Sequence, residues 1–428
     1  MRNPLRQPAM SPDAAVSSAT EAIAEAAAPI RGSGSIGASR RIVLVCNRFG
    51  EGVAGGAEQL LRELGRGLRE RGWEVDVTAS AARNHYTWEN EFRVGESIED
   101  GIRVLRFRAE QQRRSRDRRR IGDMIGAGAE VSVPDQYRWM NAGVRVPEMY
   151  EYLVDHASDY RAIVLAPYGF WTTFAGAQVA PERTILLPCL HDEPEAYLEI
   201  YRPIFEGSRG LWFQTEPEAE LARRIFQLPD RTSIIGSGVD VPAAYDPEGF
   251  RRRHGIQGRF ALFAGRREWG KGWPELLRGL EHAQGALADP LPLVTCGVGD
   301  LGRIPAGLRV IDVGYLSDQE RSDAMAAAFV YLQPSRVESF SRTIMEAWLA
   351  GTPVVANAAS AVVNWHCQRS RAGLAYRDDF ELTECLRLLL ERPALGDAMA
   401  ARGRQYVLEN YRWGDVLKRA ERLIEEWT

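Results

Sequence analysis

Glu338 and Glu346 stand eight positions apart in the stretch Pro334 to Ala356, "PSRVESFSRTIMEAWLAGTPVVA". A carboxylate pair can work across a glycosidic bond, but a retaining glycosidase needs its two carboxyl groups about 5 to 5.5 Å apart with one as nucleophile. One carboxylate in a loop and the other in a helix, on the same edge of a pocket, suits positioning better. A plainer reading stays open for Glu346. Thr343, followed three residues later by Glu346 at the start of an apolar run, is a capping box, which needs nothing more than a helix. Glu338 precedes that cap, at the end of the apolar strand "AFVYLQPS", where open α/β sheets place their ligands.

Cations and glycines at two other turns point to phosphate. After the strand at Arg41 to Asn47 comes "FGEGVAGGAEQLL", in which Gly50, Gly52 and Gly55 fit G-x-G-x-x-G and open a helix. The free amides and dipole of such a helix favour an anion. A nicotinamide enzyme wants an acidic residue at the end of the second strand to hold the ribose; here that strand ends "VTAS". In "FALFAGRREWGKGWPELL", Arg266 lies just past a strand and Lys271 just before a helix, so both reach one group above the sheet. Arginine grips a phosphate bidentately and lysine supplies a point charge. Glycines that only make a tight turn, and a solvated charge run, are the alternatives.

These residues need two sheets to carry them. Strand and helix patterns alternate from "RIVLVCN" through "AEQLLRELGRGLRER", "WEVDVTAS", "YRAIVLAP" and "RTILLPCL". A second series begins after "SIIGSGVDVP" with "FALFAG", "GWPELLRGLEHAQGAL", "LPLVTCG", "LRVIDVG" and the carboxylate unit, and ends in "FELTECLRLLLER". The pattern predicts an α/β protein of two tandem parallel-sheet domains, jointed near Gly236 to Pro242, with facing strand ends that form a cleft. A chain of 428 residues is long enough for two cores, and a net charge of -4 gives no case for nucleic acid. The five cysteines contain no C-x-x-C pair, which suits reduced thiols in a cytoplasm. No apolar run is long enough to span a bilayer. The first forty residues, rich in Ala, Ser, Pro and Gly, read as a disordered tail; two glutamates occupy the place of a signal peptide's apolar segment.

Taken together, the motifs resemble those of the nucleotide-sugar-dependent glycosyltransferases of family 4, over nearly everything from Arg41 onward. Glu338 and Glu346 match the E-x7-E signature. "GGAE" at Gly55 to Glu58, "GRREWGKG", "GSGVD" at Gly236 to Asp240 and the closing "YRWGDVLKRAERLIEEW" support it. "LLPCLHDEPEAYL" is similar to a version found in bacterial polysaccharide and glycoconjugate enzymes. The resemblance implies a GT-B fold of two Rossmann-like doubly wound domains facing a central cleft. The first covers 41–238 on the acceptor side and the second 239–410 on the nucleotide-sugar side. A helix in 411–428 then crosses back to the first domain.

The same resemblance implies residue roles. Glu338 holds donor sugar hydroxyls and Glu346 the ribose. Amides around Phe340, Ser341 and Arg342 reach the distal phosphate and sugar, with Gly55 and Gly56 at the donor from the other side. Arg266 and Lys271 neutralise the departing diphosphate, and His191 faces the sugar from the first domain. An ion-paired loop is the alternative for His191, which precedes acidic residues. Many family members have glycine where this chain has Ser341, which alters how closely backbone meets ligand. The reaction implied is transfer with retention of anomeric configuration to a glycan, lipid-linked or small-molecule acceptor. It needs no cofactor beyond the co-substrate and, with no D-x-D motif, no essential metal. A GT-B epimerase or phosphorylase, and a silent nucleotide-sugar-binding protein, remain as other classes.

Two regions bear on the acceptor. Arginines gather from Arg103 to Arg120 in "RVLRFRAEQQRRSRDRRR", a patch for anionic lipid or a phosphorylated acceptor, or a solvated helix face. The expected location is the cytoplasm, with the inner face of the membrane as the option that a lipid-binding arginine patch would add. "PDQYRWMNAG" reads as an aromatic loop at the acceptor side or as ordinary packing of Tyr137 and Trp139.

Overall fold

The computed structural model describes residues 40–53, 55–111 and 116–428. The expected tail at 1–40 lies outside them, save Arg40. The strands of the first half are β1 (Arg41–Arg48), β2 (Glu74–Ser80), β3 (Gly95–Glu99), β4 (Ile102–Phe107), β5 (Glu110–Gln111), β6 (Val144–Arg145), β7 (Ala162–Ala166), β8 (Thr184–Leu186), β9 (Gly210–Phe213) and β10 (Thr232–Ile234). Those of the second half are β11 (Ala261–Ala264), β12 (Leu293–Cys296), β13 (Val310–Asp312), β14 (Val330–Gln333), β15 (Val354–Asn357) and β16 (Gly373–Tyr376).

Two open sheets result, ordered β10-β9-β8-β7-β1-β2-β4-β3 and β13-β12-β11-β14-β15-β16, with β5 and β6 in a separate ribbon. Within the two open sheets only the edge strand β3 runs antiparallel to its neighbour. Each sheet therefore reverses its winding beside its first strand, between β1 and β7 and between β11 and β14. Such switch points leave a crevice outside the carboxyl ends of the strands. The loops after β1, β11 and β14 are the ones that carry the glycines, the cations and the carboxylate pair.

Strand periodicity explains the layers. Val43 and Val45 face one helical layer, with Ile163 and Leu165, while Ile42 and Leu44 face the other. That second face is completed by the helix Trp413–Trp427, whose Leu417, Ala420, Leu423, Ile424 and Trp427 join Ile42, Leu44, Leu61 and Trp212 in one core. The closing helix thus crosses back onto the first lobe, as the resemblance implies. Its four large apolar side chains contribute on the order of 10 kcal/mol of burial before chain entropy is counted. Glu421 anchors it further, accepting from Arg40 at 3.0 Å and from Trp73 Nε1 at 3.1 Å.

Two expected surface features have another form. "PDQYRWMNAG" is not a loop: Val133–Asn141 is a helix, begun by Ser132, which accepts from the Asp135 amide, and by Pro134 in the first turn. Part of the arginine run is the strand β4. Arg103 there is ion-paired with Asp76 at 3.3 Å and Glu96 at 2.8 Å, and Arg106 with Glu99 at 2.5 Å. These arginines neutralise the sheet's own carboxylates rather than forming a patch. Arg113 and Arg114 fall outside the described residues, and Arg116–Gly126 is a helix that buries Ile121 and Ile125.

Candidate functional site

The glycine loop after β1 turns through positive φ at Gly50 (132°) and Gly52 (74°) before the helix Gly56–Glu70 begins. A residue with a Cβ pays strain at such angles, so the turn is glycine's. Glu58, in the first turn of that helix, is buried and ion-paired with the equally buried Arg48. In the second lobe Lys271 sits on a short turn, Trp269–Lys271, ended by Gly272 at φ 70°. A Cβ on Gly272 would lie 2.5 Å from the carbonyl oxygen of Pro334. The missing side chain is what lets this turn approach the end of β14.

That approach joins two of the expected site residues. Lys271 Nζ donates to Glu338 Oε1 at 2.8 Å, with the Glu338 side chain 12% exposed. Burial pushes the Glu338 carboxyl up, but Lys271, and His191 from the opposite lobe, outweigh it and hold the group below the ordinary carboxylate range. His191 is half-buried, with Nδ1 3.8 Å from Glu193 Oε1, so the contact with an acidic neighbour expected as its alternative is present. Its loop is fixed by Glu218, which accepts from the Leu190 amide at 2.7 Å and the Gln214 amide at 2.6 Å.

Glu346 is held differently from the expectation. The helix Arg342–Leu349 has Ser341 as its N-cap, in the left-handed region at φ 67° with no side-chain cap bond, so the Thr343–Glu346 capping box is not formed. Gln333 at the end of β14 donates to Ser341 Oγ at 2.7 Å and to Thr343 Oγ1 at 3.2 Å, drawing both hydroxyls away from the helix start. Glu346 instead accepts a bidentate pair from Arg321, at 2.9 and 3.1 Å. Such a fork fixes the orientation of the carboxylate.

A cavity of about 390 Å³ opens between the two lobes, with Gly55 and Gly56 on one wall and Arg266, Arg321, Arg342 and Glu346 on the other. The Nη1 of Arg342 is buried without a hydrogen-bond partner. His191, Lys271, Glu338, Phe340 and Ser341 do not line this cavity; the Phe340 ring is core, 2% exposed. The expected site residues therefore fall into two groups, Glu346 and Arg266 with the glycine loop, and Glu338, Lys271 and His191.

Contacts across the lobes bracket both groups. Arg266 pairs with Glu268 at 3.0 Å and donates to His85 Nε2 at 3.2 Å. Burial, then the charges of Arg48 and Arg266, pull the His85 imidazole below its ordinary value, which leaves a neutral ring able to accept. Gln214 and Thr215 bond the side chain and carbonyl of Ser339, at 3.0 and 3.1 Å. Sequence reasoning missed His85 and Arg321, whose partners lie 181 and 25 positions away, and Arg48, which meets Glu58 across the glycine turn.

Comparison with known proteins follows this geometry. The profile of the family Glycosyl transferases group 1 matches residues 258–392, the stretch that carries Arg266, Lys271, Glu338 and Glu346. A D-inositol 3-phosphate glycosyltransferase of Xylanimonas cellulosilytica is 28% identical over 353 residues, 72% of this chain and 76% of that protein. Among solved structures, sucrose-phosphate synthase from Thermosynechococcus elongatus superposes with a TM-score of 0.68 at 18% identity, covering 90% of this chain and 98% of that one. Anabaena HepE in complex with UDP-glucose gives 0.66 at 17%, covering 90% and 99%. At these identities the superpositions speak for the fold.

Proposed function

We propose that the chain is a GT-B glycosyltransferase of family 4, that its donor is a nucleoside diphosphate sugar and that transfer retains the anomeric configuration. The observation that carries this reading is the interlobe cavity, which sets a bidentately held carboxylate, Glu346, and the cation Arg266 opposite the glycine turn and helix start at Gly55 and Gly56. In it Glu346 takes the ribose hydroxyls. The diphosphate lies between Arg266, Lys271 and the helix start, and Glu338 and His191 flank the sugar.

Breaking the sugar–phosphate bond develops negative charge on the leaving phosphate while positive character grows at the anomeric carbon. Arg266 and Lys271 stabilise the first. The ionised Glu338, beside His191, orients the sugar's hydroxyls, and no protein group attacks. No cofactor and no metal enter this reading, so turnover should survive chelation.

The acceptor is a glycan, a lipid-linked saccharide or a small molecule on the first-lobe side. One relative is an enzyme named for a phosphorylated cyclitol, which supports a phosphorylated acceptor. For contact with anionic lipid, the exposed Arg116, Arg119 and Arg120 remain from the arginine run, beside Met124 along a shallow cavity. Among the described residues no helix is long and apolar enough to cross a membrane.

A screen of nucleotide sugars for binding and slow hydrolysis tests the reading, with the anomer of the released sugar read by nuclear magnetic resonance. Free sugar isomers, or sugar phosphate without transfer, would point instead to an epimerase or phosphorylase. Absence of binding by any nucleotide sugar would refute the donor assignment.

A further inference from the structure

The chain crosses between the lobes twice, once through the segment after β10 and once between Asn410 and the helix Trp413–Trp427. The two crossings touch: the Val239 amide donates to the Tyr411 carbonyl at 2.8 Å. Arg419 ties them again, its Nε donating to the Ile235 carbonyl at 3.0 Å and its Nη2 to the Asn410 carbonyl at 3.0 Å. Beside them is a second cavity, of about 280 Å³, whose walls include Glu216 and Gly236 from one side, Trp365 and Arg369 from the other, and Tyr411 and Arg419 at the crossing.

The charge of this cavity is unbalanced. Neighbouring cations are paired, Lys418 with Asp415 at 3.7 Å and Arg422 with Glu426 at 3.6 Å. Among the described residues, Arg369 and Arg419 have no carboxylate within ion-pair distance. Arg369 lies 4.9 Å over the Trp365 ring and meets the Tyr406 hydroxyl, and two backbone carbonyls occupy only part of the five donors of Arg419, so each guanidinium keeps donors free. Glu216, the one carboxylate on the wall, is already bonded to Arg223 at 2.8 Å. Burial pulls Arg419 below the ordinary guanidinium value, and Asp415 and Tyr411 do not restore it.

Two guanidinium groups with donors to spare, facing a cavity without a free anion, form a phosphate site. We propose that the hinge cavity binds a phosphorylated small molecule, with its phosphate between Arg369 and Arg419. Arg369 belongs to the second-lobe helix Ala361–Ser370, and Arg419 to the helix buried in the first lobe. The bound phosphate therefore bridges the lobes and holds them in the arrangement described here. The site is separate from the donor cavity and stands whichever donor and acceptor the enzyme uses.

Phosphate also has a place between Arg266 and Lys271 in the cleft, so the test uses the full chain carrying Lys271→Ala. Inorganic phosphate and glycerol 3-phosphate are titrated calorimetrically into this chain and into the same chain with Arg369→Gln added. Arg369 is exposed on its helix, and circular dichroism checks that both chains stay folded. The expected result is binding at one site, at least tenfold weaker after Arg369→Gln. Fluorescence transfer between labels on the two lobes should also narrow its distance distribution with the probe in the first chain only. A stronger response to glycerol 3-phosphate identifies an organic phosphate, an equal one the free ion, and either supports the site. Absence of binding by both probes, or binding unchanged by Arg369→Gln, overturns it. Neither outcome touches the donor assignment, because no sugar is transferred in the experiment.

Discussion

Replacing Glu338 with Gln separates what this carboxylate does for the fold from what it does for the reaction. A loop carboxylate that only binds sugar would be neutral to stability, but here it is 12% exposed and bonded to Lys271 at 2.8 Å. A hydrogen bond between charged groups contributes about 1.5–3 kcal/mol and a neutral one about 0.5–1.5. Gln keeps the bond and loses the charge, so the cost is about 1 kcal/mol, moderated because Lys271 retains some solvent. For a protein of this size that lowers the melting temperature by about 2 °C or less.

The effect on activity has two parts of opposite sign. Lys271 no longer divides its charge between Glu338 and the diphosphate, so a nucleoside diphosphate should bind about fivefold more tightly, the equivalent of about 1 kcal/mol. Turnover at saturating donor should fall about a hundredfold, since the ionised oxygen that orients the sugar is gone. Calorimetric titration of the nucleoside diphosphate, steady-state kinetics and thermal melts measure the three quantities on one preparation. Unchanged turnover with a lowered melting temperature would refute the reasoning and leave Glu338 as a structural partner of Lys271. Weaker nucleotide binding would refute the competition for the lysine.

Arg266→Ala and Lys271→Ala should each cut turnover at saturating donor about ten- to a thousandfold, by analogy with lost oxyanion donors, and unchanged turnover would rule out the charge-stabilising role. Ser341→Gly should be close to neutral in thermal melts, because relief of about 1 kcal/mol of left-handed strain offsets the lost bond from Gln333, whereas Ser341→Ala keeps the strain and loses the bond and should destabilise by about 1 kcal/mol. His366 is fully buried, and burial, with Arg369, pulls its imidazole down to about 3, below the ordinary 6.5. The unfolded chain therefore takes up a proton that the folded chain refuses. Its contribution to stability is complete above about pH 6.5 and is lost progressively as pH falls toward 3. His366→Phe should flatten the acid limb of a plot of melting temperature against pH; an identical limb in both proteins would refute it.

Residue types and periods made much of this molecule readable before its shape. The glycine turn, the Arg266 and Lys271 loop and both sheets announce themselves through strand-turn-helix patterns local to some twenty residues. The capping-box alternative at Thr343 and Glu346 is not realised because the motif is local while its competitors are not: Gln333 and Arg321 take the two side chains from other elements. Cross-strand partners also hid the strand β4 inside a run of arginines, since Arg103 and Arg106 look solvated until Asp76, Glu96 and Glu99 are placed beside them. The helix Val133–Asn141 carried legible signals, Ser132 and Pro134, that its aromatic residues overshadowed.

The burial of the helix Trp413–Trp427 in the first lobe has a consequence for biogenesis. On the ribosome the first lobe emerges with Ile42, Leu44, Leu61 and Trp212 lacking the side chains that cover them, which are translated almost four hundred residues after β1 begins. The second lobe, whose cores contain no residue of this helix, can close before then. Order of synthesis and order of completion are thus inverted: the lobe made first is finished last, and its uncovered sheet face is a surface for chaperones to guard until the closing helix arrives.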